Sequence, residues 1–333
     1  MTIRSLPVCG ILLATASWLP AQQSKLTGPV SGFVFDSPAR VLRPIQGVPG
    51  ASLLGDGVDF GFALQSAYVS PRQDAALVVG SDQSLHLYRI GGGSISEISL
   101  GGISGVPQEV VFSPSGKSAA LFAMGRARIL TGLPDAPTLS ATVNVPNSST
   151  ATSRVSVGGR PQPGRAPGQT LALSDDGAYL LTVAGGSVRL LSTHGENRSL
   201  MTAGNDALVA FAADGHDAAV MDSASGLTLI HDAAGAAGME TLSQPDEGLA
   251  AAAGLAFSQD KQTLYVASAT ARSVASFSLS AHSRSTVDCA CSPAALIPMG
   301  NLFRLNDIDG APLWLLEGAA GKPRTVFVPA RGE

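Results

Sequence analysis

Residues Leu171 to Ser192 read LALSDDGAYLLTVAGGSVRLLS. Two apolar runs flank the turn Asp175-Asp176-Gly177, and Gly185-Gly186 leads into a third run, the pattern of consecutive antiparallel strands joined by tight turns. The same unit recurs along the chain. First strands end in AYVSP (Ala67 to Pro71), VVFSP (Val110 to Pro114), VAFAA (Val209 to Ala213) and LAFSQ (Leu255 to Gln259). A polar turn follows each, then second strands AALVV, AALFA, AAVMD and TLYVA and third strands LHLYRI, ARILTGL, GLTLI and VASFSL.

The residues that precede the turns, Ser70, Ser113, Ser174, Ala212 and Ser258, are spaced 43, 61, 38 and 46 apart. A period near 40 to 45 residues with about four strands per unit is the mark of a β-propeller blade. Blades stack face to face, so both faces of a strand are covered and strict alternation gives way to runs such as LL and VV. The expected fold is therefore all-β: one propeller of four-stranded antiparallel blades spanning 22–333. The long interval contains a Ser-, Pro- and Gly-rich insertion at 134–168, read as an extended blade edge plus an exposed loop, or as a degenerate extra blade.

At the ends the pattern thins. Gly32 to Ile45 reads as two strands about a Ser-Pro turn, and Gln46 to Phe62, rich in Gly and interrupted by Pro49, reads as a connection. NLFRL, PLWLLEG and TVFVPA between Asn301 and Ala330 leave the last blade one strand short. Completing it with Gly32 to Ile45 joins the N- and C-terminal strands in one sheet and removes exposed edges. Six blades are then expected, and seven if the insertion is a blade.

The segments FSPSGK, LSDDGAYLLTV, FAADG and TLYVASATARSVASFSL resemble the repeats of bacterial YVTN-type and WD40-like propellers, over roughly Ala67 to Leu279. No Gly-His and Trp-Asp pair closes each blade, so the WD40 hydrogen-bond network is not implied. Such propellers include lactonases, dehydrogenases, lectins and interaction platforms, so the resemblance implies a fold and leaves the activity open.

Composition excludes one class of partner. Charged residues make up 14 % of the chain, the net charge is -4, and Lys and Arg are not clustered, so nothing matches a nucleic-acid backbone. Residues 1–21 read as a signal peptide: Arg4 precedes an apolar run from Leu6 to Leu19, and Leu19-Pro20-Ala21 ends it. The run falls short of the roughly 20 residues of a membrane-spanning helix. A periplasmic or extracellular protein without a transmembrane segment in its mature chain is expected.

Removal of that segment discards Cys9 and leaves Cys289 and Cys291. These form a local disulfide, remain thiols, or join a metal or redox site for which only His282 is near in sequence. If paired they close a very small loop, and they are expected at the surface between the fifth and sixth blades with little effect on stability. The five histidines show no two-ligand spacing, and His86 alternates with Leu85 and Leu87 as a strand-face residue. No G-x-S-x-G elbow occurs, so a serine nucleophile needs geometry to support it. Asp175, Asp176, Asp214 and Asp260 are read as turn caps in preference to calcium ligands.

One polar residue precedes each clear repeat: Asp59, Glu109, Gln169, Asp206 and Glu247. Polar loops place such residues by chance. Alternatively, they face a channel mouth together and share a ligand or divalent cation; no cofactor is expected otherwise. Two functions follow. One is a secreted, non-catalytic scaffold for a protein, small-molecule or carbohydrate ligand; the other is a lactonase- or lyase-like enzyme with a metal or acidic site at the mouth.

Overall fold

The turn that ends each first strand sets the architecture. In the computed structural model, which describes residues 28–91, 94–146, 170–246, 248–309, 311–318 and 322–330, Ser70 donates its N–H to the carbonyl of Ala75 at 2.8 Å and accepts from Gln73 N at 2.9 Å. Ser113, Ser174 and Ser258 repeat both bonds with residues five and three positions on. The third position after the serine is left-handed: Gln73 (φ 62°), Gly116 (70°), Gly177 (70°) and Lys261 (60°). The recurring small or polar residues thus satisfy one backbone geometry that reverses the chain.

Seven antiparallel sheets result. The first holds β1 (Val30–Asp36), β2 (Val41–Val48) and β3 (Ala51–Leu54); the second, β4 (Leu64–Val69), β5 (Ala75–Gly80), β6 (Leu85–Arg89) and β7 (Ser96–Ile98). The third contains β8 (Glu109–Phe112), β9 (Ser118–Ala123), β10 (Arg126–Thr131) and β11 (Thr138–Asn144), and the fourth β12 (Leu171–Leu173), β13 (Tyr179–Ala184), β14 (Ser187–Ser192) and β15 (Asn197–Thr202). The fifth comprises β16 (Leu208–Phe211), β17 (Ala218–Asp222), β18 (Gly226–His231) and β19 (Gly238–Ser243), and the sixth β20 (Ala252–Phe257), β21 (Thr263–Ser268), β22 (Ser273–Ser278) and β23 (Ser283–Asp288). The seventh has β24 (Ile297–Met299), β25 (Leu302–Arg304), β26 (Leu313–Glu317) and β27 (Arg324–Val328).

Apolar clusters fill the seams between successive blades. Val111 and Ala120 of the third meet Leu171 and Leu180 of the fourth, while Leu181 and Val183 on the other face of the fourth meet Val209 and Val220 of the fifth. Every residue of β5 is buried because both faces are covered, whereas β23, an outer strand, is mostly exposed. The ring closes by the same packing: Val34 and Ile45 of the first blade meet Leu313, Leu315 and Val328 of the last.

The architecture corrects three expectations. There are seven blades, not six, and Gly32 to Ile45 does not pair with the C-terminal strands; it forms its own sheet with β3. The hidden elements were short: β3 lies in the Gly-rich connection, where Gly47 (φ 112°) and Gly50 (φ 84°) allow a tight reversal, and β24 contains Pro298. The insertion supplies β11, which pairs with β10 as the outer strand of the third blade, so it is not the extra blade; 147–169 lie outside the described residues. Cys289 and Cys291 are disulfide-bonded between the sixth and seventh blades, and Cys289 is 5 % exposed, packed with Leu296 and Phe303. The expected surface pair is half core. The signal segment also lies outside the described residues, among which no helix is long and apolar enough to cross a membrane.

Candidate functional site

The connections from an outer strand to the next inner strand gather at one end of the ring, and Asp59, Glu109 and Asp206, of the five residues singled out in the sequence, lie at or beside the start of an inner strand. Asp59, between β3 and β4, is exposed and accepts the N–H of Gly61 at 2.8 Å in a local Asx turn. Glu109 opens β8 and is only 7 % exposed. Asp206, between β15 and β16, is exposed, with its Oδ1 2.6 Å from where a Cβ on Gly204 would lie. The carboxylate of Asp222, 2 % exposed, accepts Gly204 N at 3.0 Å beneath it. A Cβ at Gly204 would crowd both carboxylates. Gln169 and Glu247 lie outside the described residues.

Two clefts bear on these residues. One, of about 590 Å³, spans the fifth to seventh blades and is lined by Met221, Leu249, Ala251 to Ala253, Ala269, Pro293 and Ala294, with Asp206, Ser223 and Ser292 as its polar groups. Its lip is pinned where Asp246 accepts from Arg284 and from Leu249 N at 3.0 Å. The Arg284 guanidinium holds the Asp246 carboxyl below its ordinary value. The other cleft, of about 890 Å³, borders the first blade and includes Asp59, Arg72, Gln73, Met299 and Asn301. Asp59 and Asp206 therefore line different clefts, and Glu109 lines neither. Among the described residues, no three His, Cys, Asp or Glu side chains form a group able to hold a metal ion.

Geometry also exposes a relay that sequence reading passed over. His86 places Nδ1 2.7 Å from Glu97 Oε1 and Nε2 2.7 Å from Ser84 Oγ, with Phe62 against the ring at 4.8 Å. The two-residue spacing of Ser84 and His86 was visible in the sequence; the cross-strand position of Glu97 was not. These distances suit a serine–histidine–carboxylate triad, but Ser84 Oγ also lies 2.5 Å from Asp82 Oδ1. A hydroxyl has one proton to give. Asp82 takes it, so that proton is not offered to His86 as a general base. Ser84 also holds the Asp82 carboxyl below its usual value.

The repeat-turn aspartates divide in role. Asp176 and Asp260 cap their own turns through Ala178 N at 2.9 Å and Gln262 N at 3.0 Å. Asp175 instead accepts Ser115 N of the third blade at 2.7 Å and Asp214 N of the fifth at 2.8 Å, tying three blades together.

No family model matches the chain, and no curated protein matches it. Solved structures do. A functionally unknown protein from Desulfotomaculum acetoxidans is 13 % identical with a TM-score of 0.55, over 90 % of this chain and 100 % of that one. A putative 6-phosphogluconolactonase from Bacteroides fragilis is 14 % identical with a TM-score of 0.56, over 90 % and 95 %. Sqt1 from Saccharomyces cerevisiae is 10 % identical with a TM-score of 0.50, over 92 % and 87 %. At these identities the likeness is one of fold, and the fold is a seven-bladed β-propeller.

Proposed function

We propose that this protein is an exported, non-catalytic binding propeller of the YVTN-type group, which engages ligands at the end of the ring where outer strands lead into inner ones. The observation that carries this reading is the cleft of about 590 Å³ there, within the size range of small-molecule sites, walled by alanines and larger apolar side chains. The exposed Asp206 carboxylate at its rim adds one fixed negative charge. Such a site selects an apolar group that ends in a cation. The lactonase-like alternative gains no residue from a relative at 14 % identity.

The test is a titration with an n-alkylamine series from butylamine to octylamine, followed by calorimetry. Affinity should rise with chain length and be lost in Ala252→Trp, which fills the cleft, and fall about tenfold in Asp206→Asn. Equal binding by all three proteins would overturn the site. Hydrolysis of δ-lactones above the spontaneous rate would overturn the non-catalytic reading.

A further inference from the structure

Among the described residues, the first blade has three strands where each of the other six has four, and the vacant place is the innermost. β3 packs beside β27, the outer strand of the last blade: Leu54 and Val326 share a cluster, and Gly50 faces Val326. β3 thus holds the outer position and β1 the second. Inner turns elsewhere touch in blade order, as Ser115, Asp175 and Asp214 do. Here Gly300 of the seventh blade donates directly to the carbonyl of Pro71 in the second at 2.6 Å, with no turn of the first blade between them.

β1 consequently presents an unpaired edge toward the ring interior. Phe33 stands opposite Pro44, which has no N–H, and the Phe33 amide points away from β2. It is taken by Gln73 Oε1 at 2.7 Å, reaching across from the second blade. A carboxamide is the side-chain equivalent of a peptide group, and it sits where the carbonyl of a fourth strand would lie. The cleft of about 890 Å³ opens along this edge beside Val30, Ser31, Phe33, Met299 and Asn301. Main-chain groups of alternate residues face the same side of a strand, and the register is unbroken from Gly32 to Asp36, so Phe33 and Phe35 share that edge.

We propose that this edge is a strand-acceptor site, and that its ligand is an extended segment of a partner polypeptide that displaces the Gln73 carboxamide and completes the first blade as its inner, antiparallel strand. The chemistry recognised is a row of main-chain N–H and C=O groups, so affinity comes from backbone hydrogen bonds and selectivity from side chains. The site is separate from the alanine-walled cleft and independent of it.

The probe is a synthetic heptapeptide with the sequence of Leu64 to Ser70, the inner strand of the second blade with its serine. Binding should slow hydrogen exchange across Ser31 to Phe35. Gln73→Ala, which removes the competitor, should tighten binding about tenfold. N-methylation of alternate peptide amides should weaken it at least tenfold on the unmodified protein, a readout that does not depend on how well the variant folds. Ala252→Trp should leave peptide binding unchanged, separating this site from the alkylamine site. Equal affinity for the methylated peptide, or protection mapped elsewhere, would overturn the proposal. Binding only to a chain that starts at Gly28 would overturn it in favour of this chain's own upstream segment as occupant.

Discussion

Asp175→Ala should be among the most destabilising surface substitutions in this protein, because one carboxylate serves two neighbouring blades. Its oxygens accept Ser115 N at 2.7 Å and Asp214 N at 2.8 Å. A hydrogen bond to a charged group contributes about 1.5 to 3 kcal/mol, and partial exposure favours the low end, so removing both costs about 3 kcal/mol. Asparagine keeps one acceptor oxygen and presents NH₂ to the second amide, for a loss of about half that. With an unfolding entropy of about 2.1 cal/mol/K per residue, 1 kcal/mol in a chain of this length is worth about 1.4 °C. The expected falls in Tm are then about 4 °C for alanine and about 2 °C for asparagine. Urea unfolding should show a lower midpoint with an unchanged slope, and Ser115 and Asp214 should exchange their amide hydrogens faster. A Tm change under 1 °C for alanine, or equal losses for both variants, would refute the two-acceptor account.

Lys261→Gly should raise Tm by about 1 to 2 °C, because Lys261 holds φ 60° and relieving a left-handed non-glycine residue returns about 1 kcal/mol; no change in a melting curve counts against strain there. The Ser258 hydroxyl leads the interactions that hold the Asp260 carboxyl below its ordinary 3.8, so its contribution to stability is present above that value and lost as pH falls through the depressed folded pKa. Ser258→Ala should therefore flatten the decline of Tm between about pH 4 and pH 2, and an unchanged profile would show that other carboxylates dominate. Intact mass of the exported protein should begin near Gln22, and retention of Met1 to Ala21 would reject processing. Cys289→Ser should cost about 1 to 3 kcal/mol by placing a hydroxyl in a site only 5 % exposed, whereas Cys291→Ala with Cys289 retained should cost less; equal losses would assign the effect to the disulfide.

Elements with repeated chemistry were legible. Five serine- or alanine-terminated strands revealed the blades, four of them because one serine turn geometry demands the same residues each time, and both covered faces of β5 and β13 left unbroken apolar runs. β3 and β24 were not legible: a strand of three or four residues carries too little pattern to separate it from a loop, and Pro44 and Pro298 inside strands argue locally against what the neighbouring pairing secures. The mouth residues were legible as positions and not as a site. Sequence places Asp59, Glu109 and Asp206 before inner strands, but blade order then sends Asp59 and Asp206 to different clefts.

The aspartates show why local chemistry alone falls short. Asp175 and Asp176 are adjacent, equally acidic and in one turn, yet Asp176 caps Ala178 of its own turn and meets the His216 side chain of the fifth blade at 3.0 Å, while Asp175 accepts main-chain N–H groups from two other blades. Residue type fixes the capacity to accept hydrogen bonds; the ring decides where it is used, since turns far apart in sequence are brought edge to edge. Gln73 follows the same logic: its carboxamide donates Nε2 to the Ser70 carbonyl of its own turn at 3.0 Å, and its Oε1 serves Phe33, forty residues away in sequence. In a propeller, each turn makes its further contacts with the turns of neighbouring blades. The residues that depart from the local rule, Asp175 as a staple and Gln73 as a cap, are therefore the ones that report how the blades are assembled, and Gln73 marks the edge where a strand is still to be added.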